Sequence, residues 1–191
     1  MTFKAIPLTT DNFDDLCELF GKRGACAGCW CTYWQQTQKN YKANKGDGNK
    51  ALLESWVSKN HHLGLLGFFN GEPAGWCAFG PRTNYPRLGR SRILKPVDDT
   101  DVVSIVCFFI AKRFRRQGLG LKMILAARDF SFKHGATVLE GYPVDPVNKP
   151  FPDAFAFTGT ARLFEEAGFK EVERRSPTRP IMRLHRPDFQ D

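Results

Sequence analysis

Residues 104–127 read SIVCFFIAKRFRRQGLGLKMILAA and predict a strand, a glycine-containing turn and a helix in immediate succession. Val, Ile and Phe dominate residues 101–110, a composition typical of a buried central strand. Apolar residues recur at positions 119, 123, 126, 127 and 130, which is the spacing of one helix face. Gly118 and Gly120 lie where this helix begins, so the turn can bring its backbone close to a ligand.

This turn has the physical properties of a phosphate-binding site. The N–H groups at a helix start point at one spot, with the positive end of the helix dipole behind them. Nearby positive charge comes from Lys112, Arg113, Arg115, Arg116 and Lys122. A dinucleotide-binding fingerprint is excluded because its third glycine is absent, and a P-loop because the Gly-Lys-Ser/Thr ending is missing. A basic surface turn capped by glycine remains the alternative.

The whole chain has the composition of a globular protein with an excess of positive charge. Its 191 residues suit one domain, residues 1–191, and 28 Lys+Arg against 20 Asp+Glu give a net charge of +8. This charge predicts an anionic partner. We expect no nucleic acid, because no recognised motif is present, and no membrane, because the longest apolar run spans only residues 105–111. Without a signal-peptide pattern, the expected location is cytoplasmic, and a homodimer is compatible with the sequence.

Patterns elsewhere predict a mixed α/β domain with the element order β-α-α-β-β-β-α-β-α-β-β. Asn70-Gly71, between two apolar runs, is a strong signal for a hairpin. Residues 35–50 are rich in Asn, Lys, Gly and Gln, and residues 80–100 are interrupted by three prolines. Both segments are predicted to be loop excursions within the same domain.

Arg115-x-x-Gly118-x-Gly120, between an apolar strand and an amphipathic helix, resembles the acetyl-CoA motif of the GNAT superfamily of N-acetyltransferases. Residues 161–169, ARLFEEAGF, are similar to the family's short helix that ends in Gly-Phe. The resemblance implies a mostly antiparallel central sheet, flanked by helices and splayed between the fourth and fifth strands. It also implies direct transfer of an acetyl group to an amine, without a covalent enzyme intermediate.

The resemblance further implies which residues hold acetyl-CoA. The backbone of Phe109 and Ile110 would pair with the pantetheine like an added strand. The other implied cofactor-binding residues are Arg115, Arg116, Gln117, Gly118, Leu119 and Gly120 around the pyrophosphate, with Thr160 and Phe164 on the short helix. Phe164 stands where the family often has the tyrosine that protonates the leaving thiolate, and Phe157 stands where it often has an asparagine.

The catalytic groups must therefore come from other positions. A cationic amine has to lose its proton before it attacks, which calls for a general base or a water chain. Glu140 is the predicted base, because an acid inside the apolar strand 138–141 is uncommon; a salt-bridged strand residue is the alternative. Tyr142 is predicted to donate the proton to the thiolate, with Thr158 and Thr160 as substitutes.

Cys26, Cys29 and Cys31 form a Cys-x-x-Cys-x-Cys pattern that could bind zinc or an iron–sulfur cluster. A tetrahedral site needs a fourth ligand, which the sequence does not offer at metal spacing, so we predict no metal. The resemblance implies that this segment, after the first helix, shapes the acceptor site. The aromatic residues in and after the pattern, which could stack on an acceptor, are therefore predicted to form a wall of that pocket, with core packing as the alternative. They are Trp30, Tyr33 and Trp34.

Together these features predict an acyltransferase that moves an acetyl group from acetyl-CoA to a primary amine of a small molecule. Two alternatives remain open. One is acetylation of a peptide or protein amine, and the other is a sensor that binds CoA without catalysis.

Overall fold

The computed structural model describes residues 2–59, 61, 63–146 and 157–186. The described strands are β1 (Phe3–Pro7), β2 (Gly64–Phe69), β3 (Glu72–Pro81), β4 (Val103–Ile110), β5 (Val138–Gly141), β6 (Lys170–Arg174) and β7 (Pro180–His185). The described α-helices are α1 (Phe13–Phe20), α2 (Gln38–Ala43), α3 (Asp47–Ser58), α4 (Pro86–Arg90), α5 (Leu119–Lys133) and α6 (Ala161–Glu166). None of these helices is long and apolar enough to cross a lipid bilayer.

The strands form one sheet in the order β1-β2-β3-β4-β5-β7-β6. Every neighbouring pair is antiparallel except β4 and β5, which run parallel from Val103↔Leu139 to Ile105↔Gly141. β5 ends at Gly141 whereas β4 continues to Ile110, so residues 106–110 have no partner on β5. The predicted mostly antiparallel sheet, splayed between its fourth and fifth strands, is therefore confirmed.

Helices cover both faces of this sheet. Successive side chains of a strand point to opposite faces. On β4, Ile105 accordingly packs in a cluster with Met123 of α5, and Val106 packs in a second cluster with Leu16 of α1. All four side chains are at most 1% exposed, so the central strand is buried from both sides, as its composition predicts.

Gly141 allows α6 to close against the end of β5. Phe164 of α6 is fully buried and lies so near Gly141 that an added Cβ would come within 2.0 Å of its ring. The same ring packs edge-to-face on Phe108 and Phe169, with centroid distances of 5.9 and 5.0 Å. The glycine is therefore required by packing at the point where the two strands separate.

Gly141→Ala is expected to lower the free energy of unfolding by about 1–3 kcal/mol, because the new methyl group must displace a buried ring. Urea denaturation measures this change. Gly89→Ala is the matched control: Gly89 lies in α4 with nothing within 4 Å of an added Cβ, so stability should stay equal or rise slightly. Equal stability of the Gly141→Ala and wild-type proteins would contradict this packing.

Residues 35–50 are not the loop excursion that their composition predicts. They contain α2 and the start of α3, which begins at Asp47. Thr37 caps α2 by accepting a hydrogen bond from the backbone N–H of Asn40. The amide of Gln36 donates to Asn49 at 2.8 Å, and Asn49 donates to the carbonyl of Gly28 at 2.9 Å. The prediction was wrong because these polar side chains are used in buried hydrogen bonds.

The segment 80–100 is also more regular than predicted. It includes a 3-10 helix at Arg82–Asn84 and the helix α4, which begins at Pro86. Proline is well suited to the first helical position, because its missing N–H would have no partner there. The proline at this position starts a helix instead of interrupting one.

Candidate active site

The turn before α5 has the backbone conformation expected of an anion-binding turn. Gly118 is the N-cap residue and is left-handed, with φ of +74°, and Arg116 is also left-handed, with φ of +61°. Among the described residues, no backbone or side-chain acceptor takes a hydrogen bond from the N–H groups of residues 116–121. Such unpaired donors, at the positive end of a 15-residue helix, can be satisfied by a phosphate group.

A cavity of about 490 Å³ opens beside this turn, where β4 and β5 separate. We call it the splay cavity. It is lined by Ala25, Cys26, Phe108, Phe109, Ile110, Arg115, Gly120, Phe157, Gly159, Thr160 and Leu163. Phe109, Ile110, Arg115, Gly120 and Thr160 were predicted from the sequence to bind the donor, so one cavity brings these five residues together.

The remaining predicted donor-binding residues do not line the splay cavity. Arg116, Gln117 and Gly118 are exposed on the turn, where their backbone N–H groups lie. Leu119 and Phe164 are buried in the hydrophobic core, at 1% and 0% exposure. Phe164 therefore acts through packing against Gly141, and no side-chain contact with a ligand in the cavity is indicated.

The splayed edge of β4 presents the backbone groups of Phe108 and Ile110, and the carbonyl of Ile110 accepts a hydrogen bond from Nε of Arg115 at 3.0 Å. The N–H of Ala111 donates to the carbonyl of Ala74 on the β3 side, so by strand alternation the backbone groups of Phe109 also face β3. On the splayed side, the N–H of Phe108 donates to the carbonyl of Phe157 at 2.5 Å. Sequence reasoning named Phe109 and missed Phe108, because the sequence does not show which alternate residues of this strand direct their backbone N–H and C=O groups to the splayed side.

The segment 24–31, which we call the cysteine loop, carries Ala25 and Cys26 into the splay cavity. Its left-handed residues are Gly24, Ala25, Ala27, Gly28, Trp30 and Cys31. Left-handed conformations of non-glycine residues are costly and persist only where the surroundings enforce them. Gly24 supplies one such constraint, since an added Cβ would lie 2.2 Å from the indole nitrogen of Trp30.

The three thiols of this loop have different surroundings. Cys26 is exposed, Cys29 is partly buried, and Cys31 is buried against Cys107 of β4. Burial raises the pKa of Cys29 to about 11 and that of Cys31 well above its usual range. No group of three or more His, Cys, Asp or Glu residues that could hold a metal ion occurs among the residues that the structure describes.

Glu140, the predicted general base, is a fully buried ion-paired residue. Its Oε1 accepts hydrogen bonds from Arg82 and from the hydroxyl of Tyr142, both at 2.6 Å. Its Oε2 accepts from Nε of Arg183 at 2.8 Å. Glu140 pairs with Ser104 in the closed part of the β4–β5 ladder and does not line the splay cavity. This geometry supports the salt-bridged alternative.

The same network extends to Asp98 and Ser104. Arg183 donates two hydrogen bonds to Asp98, at 2.7 and 2.9 Å, and they hold the pKa of that carboxyl well below its usual range. Burial and the neighbouring Glu140 raise the pKa of Tyr142 well above its usual range. Tyr142 therefore keeps its proton, and its hydroxyl lies 2.7 Å from Ser104. Sequence reasoning missed Arg82 and Arg183, the two cations of this network.

The predicted acceptor-wall aromatics divide into two groups. Trp30 is 6% exposed and packs edge-to-face on Phe20, which fits the core-packing alternative. Tyr33 and Trp34 instead line a second cavity of about 530 Å³. We call this cavity the arginine pocket, because Arg87, Arg90 and Arg179 also line it. No sequence signal pointed to these three arginines.

Phe157 separates the arginine pocket from the splay cavity. It lines the splay cavity, and its ring lies 6.4 Å from the ring of Tyr33 and 6.4 Å from that of Trp34. The next residue, Thr158, accepts a hydrogen bond from Arg179 at 3.2 Å. Phe157 of the splay cavity therefore packs against two residues of the arginine pocket, and this aromatic layer separates the two cavities.

Comparisons with known proteins agree with this geometry. The model of the acetyltransferase (GNAT) family matches residues 29–151. No curated protein matches the sequence significantly. Similar solved structures include the PaiA N-acetyltransferase from Thermoplasma acidophilum in complex with coenzyme A, with 13% identity, a TM-score of 0.55 and coverage of 97% of this chain and 100% of that one.

Two further solved structures show the same fold. An N-acetyltransferase from Staphylococcus aureus Mu50 has 13% identity and a TM-score of 0.55, over 97% of this chain and 99% of that one. The aminoglycoside acetyltransferase AAC(6')-Ib, in complex with coenzyme A, has 18% identity and a TM-score of 0.53, over 97% and 95%. The family model covers more than half of the sequence, and the solved structures share the splayed-sheet fold. The chain belongs to the GNAT family of acetyltransferases.

Proposed function

We propose that this chain transfers an acetyl group from acetyl-CoA to a primary amine of a small molecule, by direct attack of the amine on the thioester. The observation that carries the proposal is the splay cavity at the end of β4, together with a second cavity whose aromatic residues pack against Phe157. One lies beside the phosphate-type turn, and the other lies across Phe157 from it. This arrangement suits acetyl-CoA and an amine that meet in the splay cavity, where β4 and β5 separate.

In the proposed complex, the chain itself binds and orients the donor. The free N–H groups of residues 116–121 and the cations of the turn hold the pyrophosphate. The open edge of β4, at Phe108 and Ile110, pairs with the pantetheine amides. A ligand bound in this way takes over the N–H of Phe108, which otherwise donates to Phe157.

Thr160 is proposed to donate a hydrogen bond to the departing CoA thiolate, which then takes its proton from water. It lines the splay cavity as the N-cap residue of α6, and its hydroxyl oxygen accepts from the N–H of Leu163 at 3.4 Å. Its own proton therefore remains available to a sulfur in the cavity. The incoming amine loses its proton to water, since Glu140 has both carboxylate oxygens engaged by arginines.

The proposal is tested by incubating the protein with acetyl-CoA and a panel of small amines and peptides, while thiol release and acetylated products are measured. We expect release that depends on the amine and one N-acetyl product for each thiol. Preferential acetylation of peptides would favour the protein-amine alternative. Tight CoA binding, measured by calorimetry, without any amine-dependent release would favour the sensor.

Cys26 provides an independent test of where the donor binds. At pH 8 it is expected to react with iodoacetamide before Cys29, because Cys26 is exposed whereas the pKa of Cys29 is raised to about 11. Saturating CoA should slow this reaction severalfold, since Cys26 lines the splay cavity. Mass spectrometry of the labelled peptides measures both effects, with Cys26→Ser as the control. Labelling at an unchanged rate in the presence of bound CoA would contradict this placement of the donor.

A further inference from the structure

Within the described part of the chain, no carboxylate lies beside the positive charge of the arginine pocket. Arg87, Arg90 and Arg179 line it, and none of the described residues that line it is acidic. Elsewhere the chain pairs its buried arginines with carboxylates, as it does for Arg183 with Glu140 and Asp98. A cluster of three guanidinium groups without a carboxylate is therefore a departure from the pattern of this molecule.

The described residues that hold Arg87 in place are all neutral. Its Nε donates to the carbonyl of Gln36 at 2.7 Å, and its Nη1 donates to the side chain of Gln38 at 2.6 Å. Its guanidinium lies 3.9 Å from the centre of the Tyr33 ring, a stacking distance. Within the described residues, its Nη2 is buried and has no hydrogen-bond partner. The guanidinium is thus fixed by neutral groups, and one of its nitrogen atoms is buried without a partner among the described residues.

Arg179 is a second half-buried cation in the pocket. Its Nη1 donates to the hydroxyl of Thr158 at 3.2 Å, and no carboxylate pairs with it in the described part of the chain. Burial lowers the pKa of this guanidinium, which reflects the cost of removing its charge from water. Such a cost is offset when an anion binds beside the cation.

Trp34 adds a third donor to the same site. Its ring is 7% exposed and lines the pocket, and its indole N–H is buried without an acceptor among the described residues. Buried donors usually have partners, so an unpaired indole N–H and an unpaired guanidinium N–H on one pocket wall need an explanation. Both N–H groups are buried here, so a ligand with acceptor oxygens would pair with them once the side chains turn towards the pocket.

We propose that the arginine pocket binds the carboxylate of the acceptor, so that the preferred substrates are small amines that carry a carboxylate, such as α-amino acids. A guanidinium presents two parallel N–H groups that match the two oxygens of a carboxylate. Because the arginine pocket lies across the Phe157 ring from the splay cavity, an acceptor held by its carboxylate would extend past this ring and place its amine towards the donor. The inference rests on the proposed acetyl transfer and adds the class of acceptor.

Matched pairs of amines test this inference. L-Phenylalanine is compared with phenethylamine, which lacks only the carboxylate, and β-alanine is compared with O-phosphoethanolamine, which carries a phosphate instead. We expect the carboxylate-bearing member of each pair to have a KM lower by roughly tenfold to hundredfold, the range for hydrogen bonds to a charged group. Equal KM values for phenylalanine and phenethylamine, or a preference for the phosphate, would overturn the proposal.

Arg179→Gln separates ligand binding from a structural role. It should raise the KM for phenylalanine roughly tenfold or more and leave the KM for phenethylamine unchanged. Arg179→Lys should restore part of the affinity, and Arg162→Gln, at an exposed arginine of α6, should change neither value. Because Arg179 has no carboxylate partner among the described residues, its removal should not lower the thermal midpoint. A KM for phenylalanine that does not respond to Arg179→Gln would contradict the assignment.

A binding measurement keeps the pocket testable if no amine is acetylated. Calorimetry with N-acetyl-L-phenylalanine in the presence of CoA should show binding that Arg179→Gln weakens and that N-acetylphenethylamine does not reproduce. Absence of acetylation together with this pattern would refute the proposed transfer and support the pocket. Acetylation of amines without this pattern would refute the pocket and support the transfer.

Discussion

Gly118→Asp is expected to reduce the affinity for CoA by at least about a hundredfold. The new carboxylate would stand at the N-cap of α5, among the N–H groups that are free for the pyrophosphate. Two unit charges about 4 Å apart repel by about 4 kcal/mol at the effective dielectric constant of a protein surface, which exceeds a hundredfold in binding. Nothing lies within 4 Å of an added Cβ, so the substitution introduces charge without a steric clash.

Gly118→Asn is the matched control for this prediction. Asparagine has nearly the same shape as aspartate, and both residues tolerate the left-handed conformation that Gly118 adopts. We expect the asparagine variant to bind CoA within severalfold of the wild type, and both variants to keep thermal midpoints near that of the wild type. Calorimetric titration at one fixed salt concentration measures the difference. Equal affinities of the aspartate and asparagine variants would show that the phosphates bind elsewhere.

Glu140→Gln is expected to lower the free energy of unfolding by about 3–5 kcal/mol, the usual cost of breaking a buried ion pair by removing one partner. Glu140 is fully buried and accepts from both Arg82 and Arg183, so its loss leaves two cations without their shared carboxylate. Urea denaturation followed by circular dichroism measures the change.

Glu72→Gln is the control for Glu140→Gln. Glu72 pairs with Arg113 on the surface, where the two side chains are 60% and 57% exposed, and such pairs contribute less than about 1 kcal/mol. If Glu140→Gln were as stable as the wild type and lost acetyl transfer with a changed pH profile, Glu140 would be the base and not a structural residue.

The turn before α5, residues 115–120, was predictable because the residues that suit it to phosphate binding are close together in the sequence. Gly118, Gly120 and the surrounding cations lie within a few residues of one another, between two elements with clear periodicity. The orientation of individual residues on β4 was not predictable. Residues 101–110 are apolar on both faces of the strand, so polar and apolar residues do not alternate there. As a result, sequence reasoning named Phe109, whereas the backbone N–H on the splayed side of β4 belongs to Phe108.

The polar networks could not be predicted, since their partners are distant in sequence. Arg82 and Glu140 are hydrogen-bonded although they are 58 residues apart in the sequence, and Arg183 and Asp98 are 85 residues apart. An isolated acid in an apolar strand, such as Glu140, is either ion-paired or catalytic, and only the three-dimensional structure shows which cations lie beside it. The helices within residues 35–50 were missed for a related reason: their amide side chains are satisfied by tertiary hydrogen bonds.

The most direct test of the account is the rate of CoA thiol release from acetyl-CoA in the presence of L-phenylalanine, with the acetylated product identified by mass spectrometry. We expect release that requires the amine, one molecule of N-acetylphenylalanine for each thiol, and a loss of this activity in Gly118→Asp at subsaturating acetyl-CoA. Thiol release without an N-acetyl product, or the same rate in Gly118→Asp as in the wild type, would contradict it.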